Sequence, residues 1–162
     1  MKDLKLRNVS KKISSTELKS FMNEFALKLP ESYIKFILKN NGGYPEISAY
    51  DNPYEDGFTI QCFNRISPVH ETILEILEKK EVNSARSTIE THQRLEKNLP
   101  DHLYPFGLDV GGNDFCISMK EDDFGAIYRF FMDGTADEPI YITDSFENFV
   151  NALEDPAIYD ED

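Results

Sequence analysis

The stretch LPDHLYPFGLDVGGNDFCISMKEDDFGAIYRFFMDG, Leu99–Gly134, decides the fold. Phe106, Leu108 and Val110 are apolar at every second place with Gly107 and Asp109 between them, the period of a strand with one buried face. Gly111-Gly112-Asn113-Asp114 supplies turn chemistry, and Phe115-Cys116-Ile117-Ser118-Met119 resumes the apolar run. Two strands joined by a tight turn are expected. Beyond Lys120-Glu121-Asp122-Asp123 and Gly125, the segment Ala126-Ile127-Tyr128-Arg129-Phe130-Phe131-Met132 is aromatic and branched, as β-structure favours. The three segments together predict a three-stranded antiparallel meander.

Downstream, Pro139-Ile140-Tyr141-Ile142 reads as a further strand, and Thr143 or Asp144 caps a helix with the stripe Phe146, Phe149, Val150 and Leu153. The remainder, 154–162, is an acidic tail expected to fray. Upstream, Ser14-Ser15-Thr16-Glu17 fits a capping box with Ser14 as N-cap. The stripe Leu18, Phe21, Met22, Phe25 and Leu29 predicts a core-facing helix from there. Pro30 opens a second helix carrying Tyr33, Ile34, Ile37 and Leu38, which Asn41-Gly42-Gly43 ends. Ala49-Tyr50 belongs to a short strand candidate beginning at Ile47, and residues 51–57 form a loop. Phe58-Thr59-Ile60-Gln61-Cys62-Phe63 is then a half-buried strand. Ser67-Pro68 reads as N-cap and first helical position of a short helix with Ile73, Leu74 and Leu77, ending near Lys80. Residues 84–97 carry few apolar side chains and are expected as a weakly packed surface helix or an ordered linker.

A chain of 162 residues with 40% hydrophobic content suits one domain with one core. No stretch approaches the roughly twenty apolar residues of a membrane span, and MKDLKLRNVSKK leads into no signal-type run. Cys62 and Cys116 both sit in strand-like segments, as buried reduced thiols rather than a disulfide framework. A soluble, cytoplasmic protein is the expectation. The net charge of −13 is uneven: residues 1–40 hold nine Lys/Arg against four Asp/Glu, whereas residues 101–162 hold two against sixteen. Direct nucleic-acid binding is disfavoured, because phosphate contact needs clustered cations. A basic protein partner is the complementary expectation.

Four pieces occur in order: Leu29-Pro30-Glu31-Ser32-Tyr33 with Phe36 before Asn40-Asn41-Gly42-Gly43; Leu103-Tyr104-Pro105-Phe106-Gly107 before Asp109-Val110-Gly111-Gly112-Asn113-Asp114; Gly125-Ala126-Ile127-Tyr128; and Ser145-Phe146-Glu147-Asn148-Phe149-Val150. The ordered set resembles the SMI1/KNR4 family of the SUKH superfamily, with Gly-Gly-Asn-Asp standing where the family has Gly-Gly-Asp. The resemblance implies an α+β fold in which a twisted, mainly antiparallel β-sheet packs against N- and C-terminal α-helices. It would occupy 1–162 as one domain, with its core at about 14–154 and 67–97 as a candidate helical insertion. It also implies a bacterial immunity protein that binds and neutralises a cognate toxin, nucleases being common partners. A regulatory module binding an endogenous partner is the alternative.

Catalytic patterns are missing from the sequence. His70, His92 and His102 each stand alone, and neither a Gly-x-Ser-x-Gly elbow nor a Walker loop is present. Asp109, Asn113 and Asp114 invite a calcium reading, but Gly111 occupies the third ligand place of an EF-hand loop. No catalytic residue, metal ligand or cofactor is assigned. The candidate partner contacts are Tyr54 and Asp56, the acids Glu121, Asp122 and Asp123, and the acids Asp133, Asp137 and Glu138. Tyrosines beside acids suit protein contact, burying ring area while the hydroxyl bonds.

Overall fold

In the computed structural model, which describes residues 1–160, the meander read from Leu99–Gly134 forms the centre of a seven-stranded sheet. In chain order the strands are β1 (Leu6–Arg7), β2 (Tyr44–Pro45), β3 (Ala49–Tyr50), β4 (Phe58–Phe63), β5 (Leu103–Asp109), β6 (Asp114–Ser118), β7 (Ile127–Phe130), β8 (Ile140–Thr143) and β9 (Leu153–Glu154). The α-helices are α1 (Ser15–Glu24), α2 (Glu31–Lys39), α3 (Ile73–Lys79), α4 (Ala85–Thr88) and α5 (Phe146–Asn151). The sheet runs β8-β7-β6-β5-β4-β3-β9 with every neighbour antiparallel, and β1 and β2 form a separate ribbon. The α+β architecture with an antiparallel sheet is the one expected.

The tight turn between β5 and β6 is built on Asp109. Its carboxylate accepts the amide hydrogens of Gly111 and Asn113 at 2.8 and 2.9 Å and the Asn113 side-chain amide at 3.1 Å. Gly112 adopts φ +83°, a conformation that glycine reaches without Cβ strain. Arg129 of β7 then donates two bonds to Asp109 Oδ2, at 2.9 and 2.5 Å. The acid that holds this turn therefore precedes the glycine pair. The expected alternation fails here: Asp109 is buried, whereas Val110 is 69% exposed. Register shifts between Pro105 and Gly107, and between Ile60 and Cys62 on β4, are the cause, because an extra residue in a ladder inverts the facing of the residues beyond it.

One face of the sheet carries the main core. Phe58, Ile60, Phe63, Tyr104, Phe106, Phe115, Ile117 and Ile127 meet Leu18 and Phe21 of α1, Tyr33, Phe36 and Ile37 of α2, and Phe146, Phe149 and Val150 of α5. Each ring wholly buried this way contributes about 1.5–3 kcal/mol of transfer free energy. The opposite face holds a smaller cluster of Leu99, Leu103 and Cys116, with Tyr128 and Phe130 packed against it. Cys62 and Cys116 are free and buried, and burial pushes the Cys62 thiol up to about 11. Neither thiolate is populated near neutral pH.

Several helix readings are corrected. α1 has its reciprocal Ser14–Glu17 cap but stops at Glu24, not Leu29. Ala26 turns left-handed at φ 52°, and the Leu27 and Ala26 amides donate back to the carbonyls of Met22 and Asn23, a Schellman closure. Leu27 and Leu29 thus enter the core from outside the helix. Pro30 serves as the N-cap of α2 rather than its first residue. α3 begins at Ile73, not after Ser67-Pro68, because Thr72 and Glu75 form the capping box while the Ser67 hydroxyl donates to the Val69 carbonyl. Its stripe faces solvent, with Ile73 78% exposed. Residues 84–97 are not weakly packed: α4 continues into a π-helical turn, Ile89–Leu95, with Ala85 and Ile89 buried in the main core and two polar anchors beside them. Arg86 donates to the carbonyls of Ser67 and Pro68, pairs with Glu24 at 2.7 Å and lies over the rings of Phe21 and Phe25. Gln93 donates to the carbonyls of Pro100 and Leu103. Part of the tail carries regular structure, since β9 pairs with β3 and a 3-10 turn spans Pro156–Tyr159. Its last two residues, Glu161 and Asp162, lie outside the described residues.

Helix α2 is tied to β5 by one polar contact inside the apolar core. The hydroxyls of Tyr33 and Tyr104 lie 2.6 Å apart, both side chains are buried, and burial raises both phenol pKa values. Tyr104→Phe strands the Tyr33 hydroxyl and should cost about 1–3 kcal/mol in denaturant unfolding, whereas the double replacement of Tyr33 and Tyr104 by Phe should cost less than either single change. Additive single-site losses would contradict a mutually satisfied pair.

Candidate protein-binding surface

The antiparallel register sorts the connecting loops onto two ends of the sheet. β4 starts at Phe58, β5 finishes at Asp109, β6 starts at Asp114, β7 finishes at Phe130 and β8 starts at Ile140. Loops 51–57, 110–113 and 131–139 therefore share one end, and they carry Tyr54, Asp56, Asp133, Asp137 and Glu138. Loop 119–126, with Glu121, Asp122 and Asp123, lies at the other end, roughly 13 Å away along β6 at the usual rise per residue. The eight candidate contacts thus form two groups.

At the first end, loop 51–57 is held by short-range bonds. Asn52 accepts the Tyr54 amide on its side chain at 3.0 Å and the Gly57 amide on its carbonyl at 2.9 Å. A Cβ on Gly57 would sit 2.3 Å from the Tyr50 carbonyl oxygen, so only glycine closes this loop. Tyr54 is 70% exposed, and its hydroxyl donates to Asp160 at 2.8 Å, a bond that raises the phenol pKa. Tyr54, Glu55, Tyr159 and Asp160 line an open cleft of about 500 Å³. Asp56, Asp133, Asp137 and Glu138 are exposed. Asp133 accepts the Thr135 amide and hydroxyl, which lowers its carboxyl pKa. These acids stand in water at loop tips.

At the second end Glu121 and Asp122 are exposed, but Asp123 is engaged. Its two oxygens accept the hydroxyls of Ser118 at 2.5 Å and Tyr128 at 2.6 Å, which holds its carboxyl below the usual range and pushes the Tyr128 phenol up to about 12. Asp123 closes its loop onto the sheet, which leaves Glu121 and Asp122 as the acids exposed there.

Two carboxyls inside the sheet look more like chemistry. Asp114 is buried, and desolvation together with the neighbouring Asp109 charge raises its pKa to about 7. A neutral acid beside an ionised one is the arrangement of many acid–base pairs. Here Asp109 is spent on the turn and on Arg129, and neither acid lines the five best-formed clefts of the described residues. No group of three or more His, Cys, Asp or Glu is placed to hold a metal ion among the described residues, and no helix is long and apolar enough to cross a membrane. Sequence reading missed the role of Asp114, which looked like a turn acid because it comes after Gly-Gly-Asn; only its paired neighbours reveal its burial.

Comparison with known proteins adds one match. A family model described as the SMI1 / KNR4 family (SUKH-1) matches residues 12–152, most of the chain and all four of the ordered motifs. No curated protein matches.

The Asp114 environment carries a pH signature. Between the ordinary carboxylate range and pH 7 the folded chain holds a proton that the unfolded chain has released, so stability falls as pH rises through that window and levels off above it. Asp114→Asn removes the titration. It should match the parent protein near pH 4 and exceed it by ~2–4 kcal/mol at pH 8 in chemical denaturation, at about 1.4 kcal/mol per pKa unit. A difference that stays constant with pH would contradict this assignment.

Proposed function

The chain belongs to the SMI1/KNR4 family (SUKH-1), which includes immunity proteins, and from that membership we propose that it is a non-enzymatic immunity protein that binds and neutralises a cognate bacterial toxin in the cytoplasm. The observation that carries the reading is the exposed acidic loop end of the sheet, built on a core that keeps its own ionic pairs inside. Of the two bases in residues 101–162, Arg129 is spent on Asp109 and stacked over Phe58 and Phe131, and Lys120 has no carboxylate within 4 Å among the described residues. Among the described residues, Asp56, Asp133, Asp137 and Glu138 have no comparable countercharge, so the field over this end is negative and favours a basic partner surface. A nuclease is such a partner, because the cations that grip phosphates are offered to carboxylates instead. Tyr54 supplies the aromatic anchor beside the acids. Glu121 and Asp122 belong to the same partner's footprint only if that footprint wraps past the sheet end.

Co-expression with a toxin encoded beside this chain should restore growth, and failure to rescue would remove the immunity reading. With that toxin in hand, replacing Asp133, Asp137 and Glu138 by lysine should slow association at least ~tenfold at low ionic strength and flatten its salt dependence. Replacing Glu121 and Asp122 by lysine should have the smaller effect. An association rate indifferent to salt in the parent protein would contradict electrostatic recognition.

A further inference from the structure

Among the described residues, just two buried side-chain polar atoms lack a hydrogen-bond partner: Ser10 Oγ and Arg65 Nη2. Both residues line the same open cleft, of about 210 Å³, on the basic N-terminal side of the molecule. Lys11, Lys12 and Lys79 line it as well. Orphaned buried donors are rare, because each forfeits its hydration without replacement. Two in one cleft ringed by ammonium groups point to an absent acceptor.

The cleft is built rather than incidental. Asn41 staples its floor, accepting the Ile66 amide at 2.7 Å and donating to the carbonyls of Ile66 and Lys11. Ser10 bridges to Asn41, and Gly42 lies so close that a Cβ would stand 2.7 Å from the Arg65 nitrogen. The Arg65 side chain is 4% exposed and locked in place: Nε donates to the Val82 carbonyl at 3.0 Å, and Nη1 donates to Glu71 at 2.7 Å. Lys79 binds the other Glu71 oxygen at 2.9 Å. Two acids also line the cleft. Glu81 lies 3.2 Å from Arg65 Nε, and Glu17 is engaged by the Ser14 amide in its capping box. Lys11 and Lys12 have no carboxylate within 4 Å among the described residues, so the positive charge is only partly compensated.

We propose that this cleft binds a phosphate group, taken between Arg65 Nη2, the Ser10 hydroxyl and the ammonium groups of Lys11 and Lys12. The shape of the donor set selects the anion. Arg65 has spent Nε and one Nη1 hydrogen on Val82 and Glu71, and Nη2, with both its N–H groups, is left without a partner. A tetrahedral oxyanion, with oxygens pointing in several directions, meets that donor, the hydroxyl and the lysines together. The proposal is independent of toxin binding, which the opposite charge at the loop end of the sheet serves.

The test titrates the full chain with inorganic phosphate, ribose 5-phosphate and acetate at constant ionic strength, reading NMR shifts of the Arg65 Nε–H and of the amides of Ser10, Lys11, Lys12 and Ile66. Saturable shifts confined to this set with phosphate are expected, weakened at least ~tenfold in the Lys11→Ser/Lys12→Ser double variant, whose side chains are exposed and whose fold is not at risk. Ser10→Ala, which removes the unpaired hydroxyl alone, should weaken binding less. Tighter binding of ribose 5-phosphate than of inorganic phosphate would assign the source to a phosphate ester, and the reverse order to the free ion. Unsaturated shifts, equal shifts at Lys28 and Lys35, or acetate binding as tightly as phosphate would each overturn the proposal.

Discussion

Phe146 and Phe149 project from one turn of α5 into the concave face of the sheet, and the rest of the molecule is arranged around them. Phe146 meets Tyr33 and Phe36 of α2 edge-on at 5.3 and 5.1 Å, and Phe106 of β5 at 5.4 Å. Phe149 meets Phe106 and Phe115 at 5.3 and 5.4 Å and stacks with Tyr50 of β3 at 5.5 Å. Edge-to-face and offset contacts of this kind add to what ring burial alone contributes. Their position in the chain matters as much as their area. β8 leads into α5 and β9 leads out of it, and these two strands are the opposite edges of the sheet. Seating one short helix therefore fixes both edges and the N-terminal helices at once. A six-residue helix would not persist alone; tertiary packing of its apolar face holds it.

Much of this was legible. β4 has the boundaries that its alternation predicts, the capping box at Ser14 is formed, and the meander and the Phe146, Phe149, Val150 stripe are all present. The readings that failed did so for identifiable reasons. Period-2 reasoning assumes an unbroken ladder, and the bulge near Pro105 turned Asp109 inward and Val110 outward. Hydrophobic periodicity sees apolar anchors only, so residues 84–97, pinned by Arg86 and Gln93, looked loosely held. The same rule overrated α3, whose stripe has nothing packed against it and whose attachment is ionic, through Glu71 to Arg65 and Lys79. Burial raises the Glu71 pKa, yet those two partners, with Ser67, bring it down to about 2. Of the two-residue strands, β3 falls within the candidate beginning at Ile47, whereas β1 shows no pattern of its own.

The acids divide into two populations that composition cannot separate. Asp109 and Glu71 are buried and spent on arginines, Asp114 is buried with a raised pKa, and Asp123 closes a loop through two hydroxyls. Asp56, Asp133, Asp137 and Glu138 remain exposed at loop tips on one end of the sheet. The first group shapes the scaffold, and the second carries the exposed charge to which the proposed partner contact is assigned. This division is why the same net charge is compatible with a tightly determined interior and a recognition surface.

The proposed recognition takes place at the end of the sheet carrying loops 51–57 and 131–139, over an interior that does not rearrange. Hydrogen–deuterium exchange on the chain, free and mixed with a toxin encoded beside it, tests this most directly. Protection should appear in 51–57 and 131–139, with β5 and β6 exchanging as slowly in both states. Protection centred on 119–126 or on α3, with those two loops unchanged, would contradict it.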